Sequence, residues 1–338
     1  MTTQVAFLFP GQGSQAVGMG ADIYASSKAA RHIFAASDEA LGFALSDLCF
    51  NGPEETLRKT INAQPAIVTV SLATLAAFQE ALSADSYSWS APLRPAFTAG
   101  HSVGEWSALV ASGVLDLAQS IKLVRERGRL MDHEGNLCPG GMAAIIRMEE
   151  KALQDICREI SERNAAQHTP DTHPGQGQVV VANYNAPGQI VISGEKDALN
   201  QAITVAKERG AKKIIPLVVS GAFHSPVMQP AIAGMAAALQ NVDLQETAIP
   251  IIGNITATAL SQTEALRAEL SQQLAAPVQW IRTIEYMVEA GVATFIEIGP
   301  GSALTGMVKR IAKEVTTRNI STAAEIEETV AYLREMGI

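Results

Sequence analysis

The sequence predicts an α/β fold in two lobes. A large α/β-hydrolase-like lobe with a mainly parallel sheet takes residues 1–137 and 218–338, and a small ferredoxin-like lobe is inserted at 138–217. Three observations carry this expectation. Apolar, strand-like runs alternate with helical patterns on both sides of the insertion, the rhythm of a parallel sheet covered by helices. Between them the order changes to β-α-β-β-α-β within about 75 residues, the split motif of ferredoxin-like units. In the first segment a strand runs through Gly100-His101-Ser102-Val103-Gly104 straight into a helical pattern, the strand–turn–helix order of a nucleophile elbow.

Composition bounds the function. The 338 residues are 47% hydrophobic and 17% charged, a balance that buries a sizeable core. With 25 Lys and Arg against 34 Asp and Glu, the net charge is −9, which argues against general nucleic-acid binding. Cys49, Cys138 and Cys157 have neither metal-ligand spacing nor an even count, so a reducing, cytoplasmic setting is expected. Met1-Thr2-Thr3-Gln4 lacks the charged and apolar regions of a signal peptide. The longest apolar run, Ala66 to Phe78, is interrupted by Thr69, Ser71 and Thr74. It is shorter than a membrane span and reads as a buried helix. No membrane contact, no metal and no cofactor are expected.

Val5 to Phe9 reads as a strand buried on both faces. It ends at Pro10-Gly11-Gln12-Gly13-Ser14-Gln15, a tight turn whose glycines let backbone amides approach a ligand. The turn lacks the Lys of a P-loop and a complete G-x-G-x-x-G, so a nucleotide site is not expected. Residues 20–90 read as mostly helical, with breaks near Asn51-Gly52-Pro53 and Asn62-Ala63-Gln64-Pro65, and Asp85 to Pro92 as a surface loop. A strong helical pattern covers 116–134, and Asn136 to Gly141 breaks it.

In the small lobe, strands are expected at Met142–Arg147, Val179–Asn183, Gln189–Ser193 and Lys213–Val218, with helices at Glu149–Arg163 and Asp197–Arg209. Asn164 to Gln178 reads as a long exposed loop carrying His168 and His173, polar loop residues with no third partner for a metal. Past the insertion, helices are expected near 228–240, 265–274, 280–290 and 304–312, and strands at 250–255, 294–298 and 316–320. Thr322 and Glu325 form a capping-box pattern for the last helix.

Serine needs a base to become a nucleophile at neutral pH, usually a histidine. Of the six histidines, His32 and His133 sit in helical, surface-like contexts, and His168 and His173 in the loop. His101 adjoins Ser102, and strand alternation turns it away from the serine's pocket. His224 follows Ser102 in a loop framed by Gly, Ser and Pro, the chain order of serine hydrolase-like folds. It is the favoured base.

Six motifs in order then resemble the malonyl-CoA:acyl-carrier-protein transacylases and related polyketide synthase acyltransferase domains. They are Pro10 to Gln15, Gly100 to Glu105, Arg127-Gly128, Asn183 to Gln189, Gly221 to Ser225 and Glu297 to Gly301, and the resemblance spans nearly the whole chain. It implies a ping-pong exchange in which Ser102 takes malonyl from malonyl-CoA while His224 takes the serine proton. It implies an oxyanion held by the backbone amides of Gln12 and Val103, and a histidine oriented by a backbone carbonyl, matched to Gln273. Arg127 is implied to bind the malonyl carboxylate, as a guanidinium can through two parallel hydrogen bonds. Phe223 is implied to narrow the pocket beside the α-carbon. Asn183 and Gln64 either line the pocket mouth or hold structural hydrogen bonds.

The acceptor implied is the phosphopantetheine thiol of an acyl carrier protein, in fatty acid or polyketide synthesis, served by a monomer. Carrier proteins are acidic, so Lys309, Arg310, Lys313 and Arg282 are candidates for docking one. The rival reading is a thioester hydrolase that clears stalled acyl chains with the same Ser102–His224 pair. Arg127 argues against it, because a neutral acyl chain has no use for a buried cation. Intact Ser102, His224 and Arg127 argue against a non-catalytic docking relative.

Overall fold

A strand apolar on both faces belongs in the middle of a sheet, and the Val5–Phe9 run is there. The computed structural model describes residues 4–83, 93–165 and 172–337. The expected Asp85–Pro92 loop and His168 lie outside the described residues. The described strands are β1 (Gln4–Phe9), β2 (Phe97–Gly100), β3 (Gly140–Ile146), β4 (Val179–Ala186), β5 (Gln189–Glu195), β6 (Lys213–Pro216), β7 (Ile251–Ile252), β8 (Ala259–Leu260), β9 (Val292–Ile298) and β10 (Thr316–Ile320).

The large sheet has the order β10-β9-β1-β2-β7-β8. Its pairings are parallel except that of β7 with β8. Phe9 pairs with Gly100 and Leu8 with Glu297, so the loops that follow β1, β2 and β9 emerge at one edge. That carboxyl edge is where open α/β sheets bind ligands. The small sheet is antiparallel in the order β4-β5-β3-β6. Its helices Glu150–Ala165 and Lys196–Glu208 bury Leu153, Ile156, Ile160, Ala198 and Ala202 against it. The small sheet is tied to the large lobe where Tyr184 N–H donates to the Val278 carbonyl at 2.9 Å and Val278 N–H to the Ala182 carbonyl at 2.8 Å.

Three expected boundaries moved. The break at Asn62–Pro65 is instead the start of the Thr60–Ser83 helix, which runs through Pro65. Pro65 is the sixth residue of the helix, so the Ile61 carbonyl loses its i→i+4 donor there. The helix is buried on nearly all sides, so tertiary packing outweighs the local signal. The strand expected at 250–255 shrinks to Ile251–Ile252, because Gly253 to Thr258 closes a turn with Ala257 at a φ of 52°. The helix expected near 228–240 splits into a 3-10 turn, Pro226–Met228, and the Ala231–Leu239 helix.

The elbow is packed backbone to backbone. A Cβ on Gly100 would lie 1.9 Å from the Gly104 carbonyl carbon, and one on Gly104 would lie 2.2 Å from the Phe9 carbonyl oxygen. Neither neighbour is a flexible side chain, so the backbones have to separate to admit a methyl. Gly104→Ala is therefore expected to destabilise the protein by about 3 kcal/mol, read as a lower denaturation midpoint in urea. A midpoint equal to the parent's would refute this account of the elbow.

Candidate active site

β2 ends at Gly100 and the next helix begins at Gly104, so the turn has three residues to reverse direction. Ser102 takes the strained part of it, with a φ of 52°. The turn is clamped by a residue the sequence did not single out. Buried Asn254 accepts from the Ser102 amide at 2.7 Å and donates to the Gly100 carbonyl at 2.7 Å. The Ser102 amide is thereby occupied. The amides of Gln12 and Val103 have no acceptor among the described residues. Gly11 lets the β1 loop close in, since a Cβ there would come within 2.4 Å of the His101 carbonyl oxygen.

Ser102 Oγ lies 2.7 Å from His224 Nε2. On the other side of the ring, Nδ1 faces the backbone carbonyls of Gln273 at 2.8 Å and Ala276 at 3.1 Å. Carbonyls only accept, so Nδ1 carries the proton and Nε2 presents a lone pair to the serine hydroxyl. Burial, and then the nearby Arg127 charge, push the imidazole down to about 3 from the ordinary 6.5. A histidine held neutral in this way is a base awaiting a proton. Among the described residues no carboxylate hydrogen-bonds to the ring.

Arg127 is fully buried on the Leu117–Leu137 helix. Nη1 donates to Gln64 Oε1 at 2.8 Å, and Nη2 donates to Gln273 Oε1 at 2.8 Å and to Ser102 Oγ at 3.2 Å. Its Nε–H has no hydrogen-bond partner among the described residues. Burial lowers its pKa to about 10, which leaves it charged at neutral pH. Gln273 holds four groups at once. Its backbone orients His224, its Oε1 faces Arg127, and its Nε2 donates to the Ser102 carbonyl at 3.2 Å and to Glu105.

Ser102 and His224 face a cleft of about 230 Å³ lined also by Gln12, His101, Asn183 and Phe223 among others, and Arg127 lies behind Ser102. The Gln12 side chain lies between Thr60 Oγ1 and Gln64 Nε2, at 3.4 Å from each. Gln64 is thus buried behind Gln12 and bonded to Arg127, while Asn183 and Phe223 reach the cleft itself. His101 departs from expectation. The residue beyond the strand leaves the pleat, so alternation no longer places its neighbour, and His101 lines the same cleft. Its Nε2 is 2.8 Å from Asn185 Oδ1, and its ring meets the edge of Trp280. His173 is half-buried and pinned, with Nε2 3.2 Å from Glu134 and Nδ1 accepting from the Gly175 amide at 3.0 Å. Among the described residues no group of His, Cys, Asp and Glu is arranged to hold a metal. Lys309, Lys313 and Arg282 are exposed, but Arg310 is engaged, donating to the Pro187 carbonyl at 2.6 Å and to the Gln189 side chain.

A serine on a strained elbow, a neutral histidine in hydrogen-bond contact and a buried cation beside both make this a site for covalent acyl chemistry on an α/β scaffold. Comparison with known proteins narrows that class. A family described as acyl transferase domain matches residues 6–329, and the chain belongs to it. The chain is 40% identical over 334 residues to a malonyl CoA-acyl carrier protein transacylase of Bacillus subtilis, covering 98% of each. It is 39% identical over 315 residues to one of Escherichia coli, covering 93% of this chain and 94% of the other. Among solved structures, it superposes on an acyl-carrier-protein-S-malonyltransferase from Bartonella henselae with a TM-score of 0.88 and 40% identity, covering 99% of this chain and 100% of that one. It superposes with a TM-score of 0.87 and 35% identity on a malonyl-transacylase in complex with its type II PKS acyl-carrier protein, covering 98% and 100%.

The buried neutral histidine gives a pH test. The unfolded chain binds a proton at His224 below about 6.5, whereas the folded one resists it until about 3. Stability contributed at this site is therefore complete above the unfolded value and declines as pH falls below it. In thermal melts, His224→Gln is expected to lose less stability than the parent as pH drops below 6.5. The acid limb of kcat/KM in the parent should lie well below 6.5. A limb at the ordinary histidine value would contradict the assigned environment.

Proposed function

We propose that the protein transfers a malonyl group from malonyl-CoA to the phosphopantetheine thiol of an acyl carrier protein, through malonyl-Ser102, in fatty acid or polyketide synthesis. The observation that carries this reading is the fully buried Arg127, with a guanidinium nitrogen 3.2 Å from the Ser102 hydroxyl. A cation there has a use when the acyl group on Ser102 ends in a carboxylate. The unpartnered Nε–H of Arg127 is a donor such a carboxylate would satisfy.

In the first half-reaction the Ser102 oxygen bonds to the thioester carbon as its proton passes to His224 Nε2. The oxyanion is received by the Gln12 and Val103 amides, each worth about 3 kcal/mol in such a role. The carbon–sulfur bond then breaks, and coenzyme A leaves as the thiol with the proton from His224. The second half-reaction runs the same steps in reverse with the carrier's thiol as nucleophile. The Gln273 and Ala276 carbonyls hold the imidazolium's Nδ1–H throughout, in place of a triad acid. Phe223 and Asn183 shape the cleft around the acyl group. The exchange needs a thioester, a thiol and these residues, with no metal or redox cofactor. The reading includes a cytoplasmic monomer.

A thioester hydrolase with the same Ser102–His224 pair is disfavoured by Arg127, a buried cation for which a neutral acyl chain offers no carboxylate. Incubating the protein with mixed acyl-CoAs and weighing it intact is expected to reveal a malonyl adduct on the parent and none on Ser102→Ala. Arg127→Ala is expected to lower kcat/KM for malonyl-CoA about a hundredfold, equivalent to roughly 3 kcal/mol. Its effect on acetyl-CoA should be far smaller, and equal losses would remove the assigned role.

The carrier meets the cleft beside the Ala303–Ile311 helix, whose Ala303, Leu304 and Met307 line it. Arg310 fastens that helix to the β4–β5 turn, so Lys309 is the better probe of docking. Lys309→Glu is expected to raise KM for the carrier protein severalfold with little change for malonyl-CoA. An unchanged carrier KM would exclude this face.

A further inference from the structure

Glu105 belongs to the elbow motif, yet the acyl transfer above makes no use of it. Its carboxyl is buried in the first turn of the Gly104–Ala111 helix. Oε2 accepts from Gln273 Nε2, and Oε1 has no hydrogen-bond partner among the described residues. The other end of the same Gln273 amide accepts from Arg127 at 2.8 Å. One amide therefore spans the space between the guanidinium and this carboxyl.

A second carboxyl shares the site. Glu269, at the end of the Thr263–Gln272 helix, is 4% exposed and accepts from the Ile255 amide at 2.7 Å. It packs on Gly253, where a Cβ would lie 2.9 Å from its Oε2. Both carboxyls turn toward the Asn254 backbone amide. The charged groups that act on Glu105 are Glu269 and Arg127.

Two carboxyls buried together do not readily ionise together. Burial raises Glu105 well above the carboxylate range, with Glu269 adding to it, and burial raises Glu269 to about 7. The charge that the pair keeps stands in balance with the nearby Arg127, which favours the ionised form of Glu105. A second anion arriving at Arg127 upsets that balance unless the pair takes up a proton.

We propose that Glu105, with Glu269, is a specificity-determining pair that supplies the counter-charge Arg127 gives up when a carboxylate-bearing acyl group is loaded. Loading such a group moves protons from solvent onto the pair, and loading a neutral acyl group moves none. The inference rests on the malonyl reading above. The acyl step itself converts a hydroxyl and a thioester into an ester and a thiol, with no net proton exchange. Any proton difference between two acyl-CoAs therefore belongs to the site.

The test counts protons in weakly buffered solution with an indicator dye, on mixing the protein with malonyl-CoA or with acetyl-CoA near neutral pH. The expected result is a greater proton uptake per coenzyme A released with malonyl than with acetyl. The malonyl-to-acetyl ratio of kcat/KM in the parent should fall as pH rises, by at most about tenfold per pH unit. Glu105→Gln keeps an acceptor for Gln273, and with Glu269→Gln added it removes both charges. That double variant should lose the extra uptake and the pH dependence of the ratio. Equal uptake with the two acyl-CoAs overturns the proposal, as does a double variant that keeps the parent's pH dependence. The parent's proton count decides alone if the variants do not fold. A protein that loads no malonyl at Ser102 defeats the malonyl reading, whereas one that loads malonyl without the extra proton defeats this proposal alone.

Discussion

The buried charge of Arg127 is the constraint around which the site is arranged. A guanidinium removed from water has to find protein acceptors or lose several kcal/mol. Its acceptors come from three separate parts of the chain: Gln64 on the Thr60–Ser83 helix, Gln273 at the end of the Thr263–Gln272 helix, and the Ser102 hydroxyl on the elbow. Satisfying the cation thus brings the nucleophile and the histidine's support to one place. Gln273 shows the economy of this, because the backbone of the residue that caps Arg127 also fixes the tautomer of His224. The long apolar helix matters to chemistry for the same reason. Its burial sets the depth at which Gln64 meets the guanidinium.

The second constraint is steric. The elbow can hold Ser102 at a positive φ because Gly100 and Gly104 admit backbone where side chains would collide, and because Asn254 bonds both sides of the turn. Parallel pairing of β1 with β2 then fixes the β1 loop beside the serine. Two unengaged amides, of Gln12 and Val103, follow from that register. The cleft needs the other sheet as well. Asn183 and Asn185 reach it from β4, which is tied to the large lobe through Val278.

Much of this was legible in the sequence because it is local. The elbow shows in glycine spacing, and the ferredoxin-like unit in the order of its periodic segments. The final helix shows in its capping box, which is formed as read from Thr322 and Glu325. The choice of His224 over five other histidines follows from chain order and loop composition, and the structure places its Nε2 2.7 Å from Ser102 Oγ. What escaped depends on contacts far apart in sequence. Asn254 lies 152 positions from the serine it clamps, in a turn with no motif. His101 was misplaced because strand alternation was carried past the end of the strand. Pro65 signals a break that tertiary burial overrides. Arg310 looks like any exposed cation until the β4–β5 turn is seen beneath it.

The electrostatics of the cleft suit an acyl group that carries its own charge. At rest Arg127 helps keep His224 unprotonated, and that field opposes the imidazolium which serine attack creates. On the malonyl reading, the substrate carboxylate pairs with Arg127 and cancels much of this field. The base then accepts the serine proton more readily when the correct acyl group is present than when a neutral one is. The same cation would thus select malonyl twice: by binding its carboxylate, and by opposing proton transfer when no carboxylate is there. Selection in the chemical step is more effective than binding alone, because it acts on the transition state.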